Sequence, residues 1–444
     1  MSLNDVILDI ASISFLLFLS FIVRIKIKFF QKNFIPVSLI AGILGLILGK
    51  QVLGNFSPIY LNFSDSIGQW TNFLFAFIFS TSFLGTKAGK FGRDVISTTF
   101  ITGSIHMMQI CVGLLIAFLL SNLDSTIPYK IGILPVSGFY GGHGSAGIIG
   151  GSFSNLGWED ATGIAMTYAT IGMFVAVLGG MFIINIAAKK GYTVQKMNSD
   201  YLQYKDITGI LPKSERNAMA IAISNGSVID PMAFQMMIVG TVIAISYFTR
   251  VMLIKIFPFW TKIPLYTMCL LVGAIIGTLV GKTKFNEYID RGTMKRISGV
   301  ALEYVIAAAV ATIKLSVLFS YLVPILLSSI ILSILTAILS IYLSKKWYGN
   351  NWFELAMGVY GQCTGSLATG LLLIKVLDPN GDTMTSESIS GSSTLGSAFQ
   401  LPYTTIGPLV LTTMPLIFTL GSVGILVIFL ILGSILFGIK MKEV

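Results

Sequence analysis

The sequence predicts an all-α integral membrane protein of ten or eleven spans. It is read as two inverted five-helix repeats, each with a glycine-rich re-entrant hairpin. Three observations support this. Of 444 residues, 54% are hydrophobic and only 11% charged, against about 25% charged in an average soluble protein. Apolar runs near the length a membrane helix needs, about 20 residues, recur along almost the whole chain. Two further apolar segments are broken by glycine: G-F-Y-G-G-H-G-S-A-G from Gly138 to Gly147, and G-V-Y-G-Q-C-T-G-S-L-A-T-G from Gly358 to Gly370. They occupy matching places in the two halves.

Taken in order, apolar runs fall at roughly 6–24, 35–53, 68–86, 97–121 and 162–187, then at 232–254, 264–281, 297–316 and 319–344. A last stretch, roughly 402–439, is too long for one ordinary span and is interrupted by Gly421 and Gly424. It is one long tilted helix or two spans. Residues 1–24 read as a retained first span, because no small-residue cleavage site follows the apolar run.

The first glycine segment, about 131–156, lies between the fourth and fifth spans; the second, about 354–377, lies between the ninth span and the last stretch. Both are apolar enough to enter a bilayer and too rich in glycine for a plain helix. The longest polar stretch, 188–230, is read as a cytoplasmic linker. It separates an N-terminal repeat, 1–187, from a C-terminal repeat, 231–444, of five or six spans. Five spans is an odd number, so the second repeat must be inverted.

With residue 1 outside, the cytoplasmic loops collect 20 of the 29 basic residues. These are Arg24, Lys26, Lys28 and Lys32; Lys87, Lys90 and Arg93; Lys189, Lys190, Lys196, Lys205, Lys213 and Arg216; Lys282, Lys284, Arg291, Lys295 and Arg296; and Lys345 and Lys346. The positive-inside rule then favours an external N-terminus. Arg250, Lys255 and Lys262 run against this scheme, and Lys440 and Lys442 favour eleven spans. The net charge of +10 is scattered through short loops, which fits membrane orientation rather than a nucleic-acid partner.

Several chemistries are absent from the pattern. Cys111, Cys269 and Cys363 have neither the number nor the spacing of a disulfide framework, and the two histidines do not make a metal cluster. No hydrolase triad, phosphate loop or dinucleotide fingerprint appears, so neither an enzyme nor a cofactor is expected. His143 and Ser145, two apart in a turn, are a weak nucleophile–base signal.

The glycine segments are where polar chemistry concentrates. Paired, broken hydrophobic segments in corresponding halves point to a solute site near the bilayer midplane. Unwound backbone is tolerated there only where protein or a water-filled cavity satisfies it. In the first segment Gly141, Gly142 and Gly144 let backbone approach a ligand, and Ser145 and Ser152 add hydroxyls. The helix that starts after such a turn offers free N–H groups to a carboxylate. His143 is suited either to an anionic ligand or to tying the turn to a backbone carbonyl. In the second segment Thr364, Ser366 and Thr369 offer oxygens around Gly361, Gly365 and Gly370, flanked by Gln362 and Cys363. Ser145, Thr364 and Ser366 are the candidate sodium ligands. The alternative for both segments is close helix packing through small residues.

Glu303 is the clearest ionisable residue inside a span and a candidate for carrying a coupling ion or proton. Lys314, near the far end of the same span, is read as snorkelling. His106 reads as a helix–helix hydrogen-bonding residue, Asp160 or Thr162 as the cap of the fifth span, and Lys375 as marking the second hairpin's exit. Thr167, Tyr168 and Thr170 on the fifth span, and Thr404 and Thr405 after the second hairpin, are read as cavity-facing.

The segment G-G-H-G-S-A-G, followed by G-W-E-D-A-T-G-I-A-M-T-Y-A-T-I-G-M, resembles the sodium/glutamate symporter family over roughly 135–180. The hydrophobic pattern agrees along nearly the whole chain. The resemblance implies two inverted five-helix repeats, both re-entrant loops at the substrate site, and sodium-coupled uptake of glutamate. It also implies a homodimer in a bacterial inner membrane and an elevator-like motion of the loop-bearing domains against a scaffold. The second loop departs from the pattern. Better-known members carry a G-A-T-P-T-A-type sequence where this chain has Gly361-Gln362-Cys363-Thr364-Gly365-Ser366. A longer segment rich in serine, threonine and glycine follows, roughly 379–400. The residues also admit a symporter for another small organic anion such as a hydroxycarboxylate, proton coupling through Glu303, or a channel.

Overall fold

The computed structural model describes residues 3–32, 35–64, 67–85, 92–189, 210, 213–215, 221–257, 260–261, 265–378 and 382–438. Most of the expected linker lies outside the described residues. So do Lys87, Lys90, Lys190, Lys196, Lys205, Arg216, Lys262, Lys440 and Lys442. Among the described residues the chain is all-helical, with one isolated bridge, Gly49 to Leu61, and no strand.

The first half contains α1 (Leu3–Lys26), the short α2 (Lys28–Lys32), α3 (Val37–Leu48), α4 (Ile67–Thr81) and α5 (Arg93–Leu123). A broken helix, α6 (Leu134–Asn155), follows, and then α7 (Ala161–Phe174), which runs through a π-turn at Val175–Gly179 into α8 (Gly180–Lys189). The second half contains α9 (Pro231–Ile256), α10 (Leu265–Val280), α11 (Arg291–Ala311), the short α12 (Leu315–Ser320) and α13 (Leu322–Trp347). The pair α14 (Trp352–Thr364) and α15 (Leu367–Leu377) follows, then α16 (Thr385–Thr413) and α17 (Pro415–Phe437).

Six helices are long and apolar enough to cross a membrane: Leu3–Lys26, Arg93–Leu123, Ala161–Ala187, Pro231–Ile256, Leu322–Trp347 and Pro415–Phe437. At the other expected spans α3, α4 and α10 have 12, 15 and 16 residues, and α11 and α16 carry more polar side chains.

The last apolar stretch is two helices. The break is at Met414 (φ −141°, ψ 63°), not at Gly421 or Gly424. Pro415 forces it: proline has no N–H to give the preceding turn, and its ring drives the residue before it out of helical conformation. The serine-rich segment after the second glycine cluster is helical from Thr385 onward.

The chain divides into two compact units, each drawing on both halves. The first holds α1, α3, α4, α9, α10 and α11. Here α11 packs on α3 and α4 around Ile13, Leu16, Ala41, Ile67, Ala307 and Ala308. A Cβ on Gly42 would sit 2.4 Å from the Val310 Cβ, so α3 and α11 approach through small residues. Asp9, fully buried on α1, accepts the Ser64 backbone N–H (2.8 Å) and hydroxyl (2.5 Å). Arg291 donates to the carbonyls of Thr81 (2.7 Å) and Leu84 (2.9 Å), satisfying the end of α4.

The second unit holds α5 to α8 and α12 to α17. Its long helix α5 packs against α13, α16 and α17, while α6 lies along α7. A core of Ile184, Ala187, Phe353, Ala356, Met357, Tyr360, Leu373 and Leu377 joins α8 to α14 and α15.

Candidate functional site

Both glycine segments belong to the second unit, and each turns back on itself. In hairpin 1 the turn falls at Gly142, whose φ of 59° and ψ of −154° split α6 into two arms. An L side chain rarely adopts that conformation, so the sequence needs glycine there. Lys130, ahead of the first arm, stacks 5.9 Å over Phe153 in the last turn of the second arm and 4.9 Å over Trp158 just beyond it, so the chain returns to where it started.

In hairpin 2 the turn is Gly365–Ser366. Ser366 opens the second arm with a capping box: its hydroxyl accepts the Thr369 N–H (3.4 Å), and the Thr369 hydroxyl accepts the Ser366 N–H (2.9 Å). The Thr369 hydroxyl lies 2.8 Å from the Gly361 carbonyl, tying the second arm to the first. The arms touch through glycine: a Cβ on Gly361 would lie 2.8 Å from the Gly370 Cα.

The two tips meet. A Cβ on Gly142 would sit 2.9 Å from the Gly365 carbonyl oxygen and 3.7 Å from the Ser366 Cβ. The Thr364 carbonyl lies 2.4 Å from where a Cβ on Gly172 of α7 would be. Two second arms therefore begin at one place, at His143 and at Leu367, and each turns a helix N-terminus towards it, the second with its Thr369 N–H taken by the Ser366 cap. The last carbonyls of α14 end there too.

The expected site residues divide as follows. Gly141, Gly142, His143, Gly144 and Ser145 form the tip of hairpin 1 and the start of its second arm. The Ser145 hydroxyl folds back over the Gly141 Cα. His143 Nε2 is 3.3 Å from the Thr170 hydroxyl of α7, a side-chain partner rather than the backbone carbonyl considered above. Gly361, Gln362, Cys363 and Thr364 are the last turn of α14, buried throughout, and the Thr364 hydroxyl donates to the Tyr360 carbonyl (2.6 Å). Gly365, Ser366 and Thr369 make the turn. Glu303 is not among them. It is exposed on α11, in the first unit.

Other expectations change. Among the described residues, His106 is buried with no hydrogen-bond partner on either ring nitrogen; its ring packs edge-on to Tyr140 at 4.6 Å instead. Asp160 makes no cap bond to α7. It pairs with Lys314 (3.1 Å), which sits beyond the end of α11 and at the start of α12. Tyr168 is buried and bonds to Ser328 of α13 (2.9 Å), and Thr170 is held by the Met166 carbonyl (3.0 Å) as well as by His143. Sequence reading passed over Gln109, whose side-chain nitrogen lies 2.7 Å from the Cys363 carbonyl and 2.9 Å from the Thr336 hydroxyl. A neutral amide inside a span was the signal.

An all-helical membrane protein in which two broken hairpins join tip to tip has the build of a secondary transporter. Comparison with known families agrees: the sodium/glutamate symporter model matches residues 3–374. The chain belongs to the sodium/glutamate symporter family, and is a transporter rather than an enzyme. No curated protein matches it.

Proposed function

We propose that the chain is a sodium-coupled glutamate symporter whose substrate and ion bind where the two hairpin tips meet. The observation behind this is the approach of Gly142 to the Gly365 carbonyl. It brings helix N-termini, which suit carboxylates, and carbonyl ends, which suit sodium, to one spot. Gly141, Gly142, His143 and Gly144 would face the substrate from hairpin 1. Gly361, Gln362, Cys363, Gly365 and Thr369 would shape the wall from hairpin 2. Ser145, Thr364 and Ser366 would offer sodium their hydroxyl oxygens. The Thr364 hydroxyl donates its proton to Tyr360, so its lone pairs are left for a cation.

Two inverted repeats are supported by the order of elements. Each half runs three helices, a long helix, a hairpin and a further helix, with α17 added at the end. Each compact unit takes corresponding helices from both halves. Both hairpins lie in one unit, which supports alternating access by elevator-like movement of that unit as a body. The repeat boundaries 1–187 and 231–444, the external N-terminus, the homodimer and the bacterial inner membrane belong to the same reading.

Labelled glutamate uptake into proteoliposomes, with and without an inward sodium gradient, tests it. Sodium-driven accumulation is the expected result. Folded protein without uptake would move the substrate to another anion, identified by competition. Thr364→Ala or Ser366→Ala should raise the sodium requirement; an unchanged requirement in both removes them from the ion site. The second reading, proton coupling, rests on Glu303, the exposed carboxylate in the body of α11. Uptake driven by a proton gradient without sodium, and lost in Glu303→Gln, would favour it.

A further inference from the structure

We propose that Gln109 is a positioning residue: it braces the first arm of hairpin 2 against α5 and α13 and so sets the carbonyls at the tip. Gln109 has no exposed surface. Its amide nitrogen carries two protons, and both have acceptors: the Cys363 carbonyl at 2.7 Å and the Thr336 hydroxyl at 2.9 Å. The Cys363 carbonyl is among the last four of α14, which the helix itself cannot pair. The amide therefore takes the place of the backbone donor that the break at Gly365 removes.

The position of this bond gives it reach. The next two carbonyls, of Thr364 and Gly365, lie against Gly172 of α7 and Gly142 of hairpin 1. Peptide planes are rigid, so a tilt at Cys363 is passed to the tip one residue later. On the same face of α5, three residues earlier, His106 packs edge-on against Tyr140 of hairpin 1. One helix face thus meets both hairpins, hairpin 1 through a ring contact and hairpin 2 through directed bonds. Water does not compete for a fully buried bond, so its geometry is held more strictly than a surface bond's. The brace does not depend on what is transported; its effect on sodium rests on the reading above.

Cys363, fully buried beside the brace, reports on it. With Cys111→Ser and Cys269→Ser in place, purified protein is reacted with N-ethylmaleimide, and modification of Cys363 is followed by mass spectrometry. Gln109→Leu should speed modification by about 10-fold, the factor one lost buried hydrogen bond is worth. Gln109→Glu should depend on pH. Its carboxylate repels the Cys363 carbonyl, while its protonated form restores one donor. Measured as a ratio to Gln109 protein at each pH, modification should be fast at alkaline pH and return towards 1 as the pH falls. The titratable groups around the amide, His106, Tyr140, Cys363 and Tyr403, are common to both proteins and cancel in the ratio.

An unchanged rate in monodisperse Gln109→Leu protein overturns the proposal. So does a Gln109→Glu ratio that ignores pH, because the amide then only fills space. If the leucine variant does not fold, the pH series alone decides. The apparent sodium affinity of uptake is the second readout, expected to weaken with little change in maximal rate. Faster modification with unaltered sodium affinity upholds the brace and overturns only the placement of sodium at the tip.

Discussion

At the tip of hairpin 1 the turn rests on one residue, Gly142, with φ at 59° and ψ at −154°. At the tip of hairpin 2 the backbone keeps negative φ through Gly365 (−142°) and Ser366 (−164°), and side chains close the turn. The first solution uses a conformation that only glycine adopts at low cost. The second uses conformations open to other residues and depends on hydroxyls to hold them. A tip made of backbone leaves its surroundings free for a ligand but tolerates no Cβ. A tip made of side chains tolerates more substitution, but each of its bonds can be removed one at a time.

The largest effect is expected from Gly142→Ala. It places a side chain in a conformation that costs about 1–3 kcal/mol, and its Cβ would stand 2.9 Å from the Gly365 carbonyl. Glutamate uptake should fall by at least about 10-fold in protein that remains monodisperse; normal uptake would remove the distinction between the tips. Thr369→Val comes next. It deletes the hydroxyl that serves Ser366 N–H and the Gly361 carbonyl, and should lower thermal stability by about 1–3 kcal/mol, while Thr369→Ser keeps most of it. Ser366→Ala loses one cap and should cost about 1 kcal/mol, read from the same melting curves. Last is Lys314→Ala. Its pair with Asp160 is 61% and 33% exposed, so the loss should stay below about 1 kcal/mol and shrink further in high salt.

The positions of both breaks were legible in sequence because two glycine clusters fall at matching places in the two halves, a pairing that helix packing alone does not call for. Their internal construction was not. The capping box depends on Ser366 and Thr369 lying three apart across a helix start, and that start becomes definite only when the turn is seen. The last stretch was left as one helix or two, with its break sought at Gly421 and Gly424, because the apolar composition continues across Met414, although Pro415 carries the signal for a break. The serines of α16 resemble a connection by composition, yet they sit in a helix where their hydroxyls bond back one turn. Ser388 reaches the Met384 carbonyl at 2.7 Å and Ser390 the Ser386 carbonyl at 2.7 Å. Gln109 and Asp9 were missed for a common reason. Each is a single polar residue whose importance comes from a distant partner, Cys363 or Ser64, and sequence spacing does not reveal such pairs.

The π-turn at Val175–Gly179 has a consequence for chain length. A turn closed by i→i+5 bonds spends one residue more than an α-turn. The helix from Ala161 to Lys189 therefore holds a spare residue just where the Tyr360 hydroxyl reaches the Val175 carbonyl (3.3 Å). Removing one residue from 175–179 should let the turn close as an ordinary α-turn and leave the stretch beyond it facing the same way, because the π-turn lags an α-helix by about the 100° that one residue contributes. Leu373 should then still meet Gly180, and the disturbance should stay local, at the Tyr360 bond to the Val175 carbonyl. The π-turn absorbs the surplus residue, so two stretches of one rod keep their different neighbours.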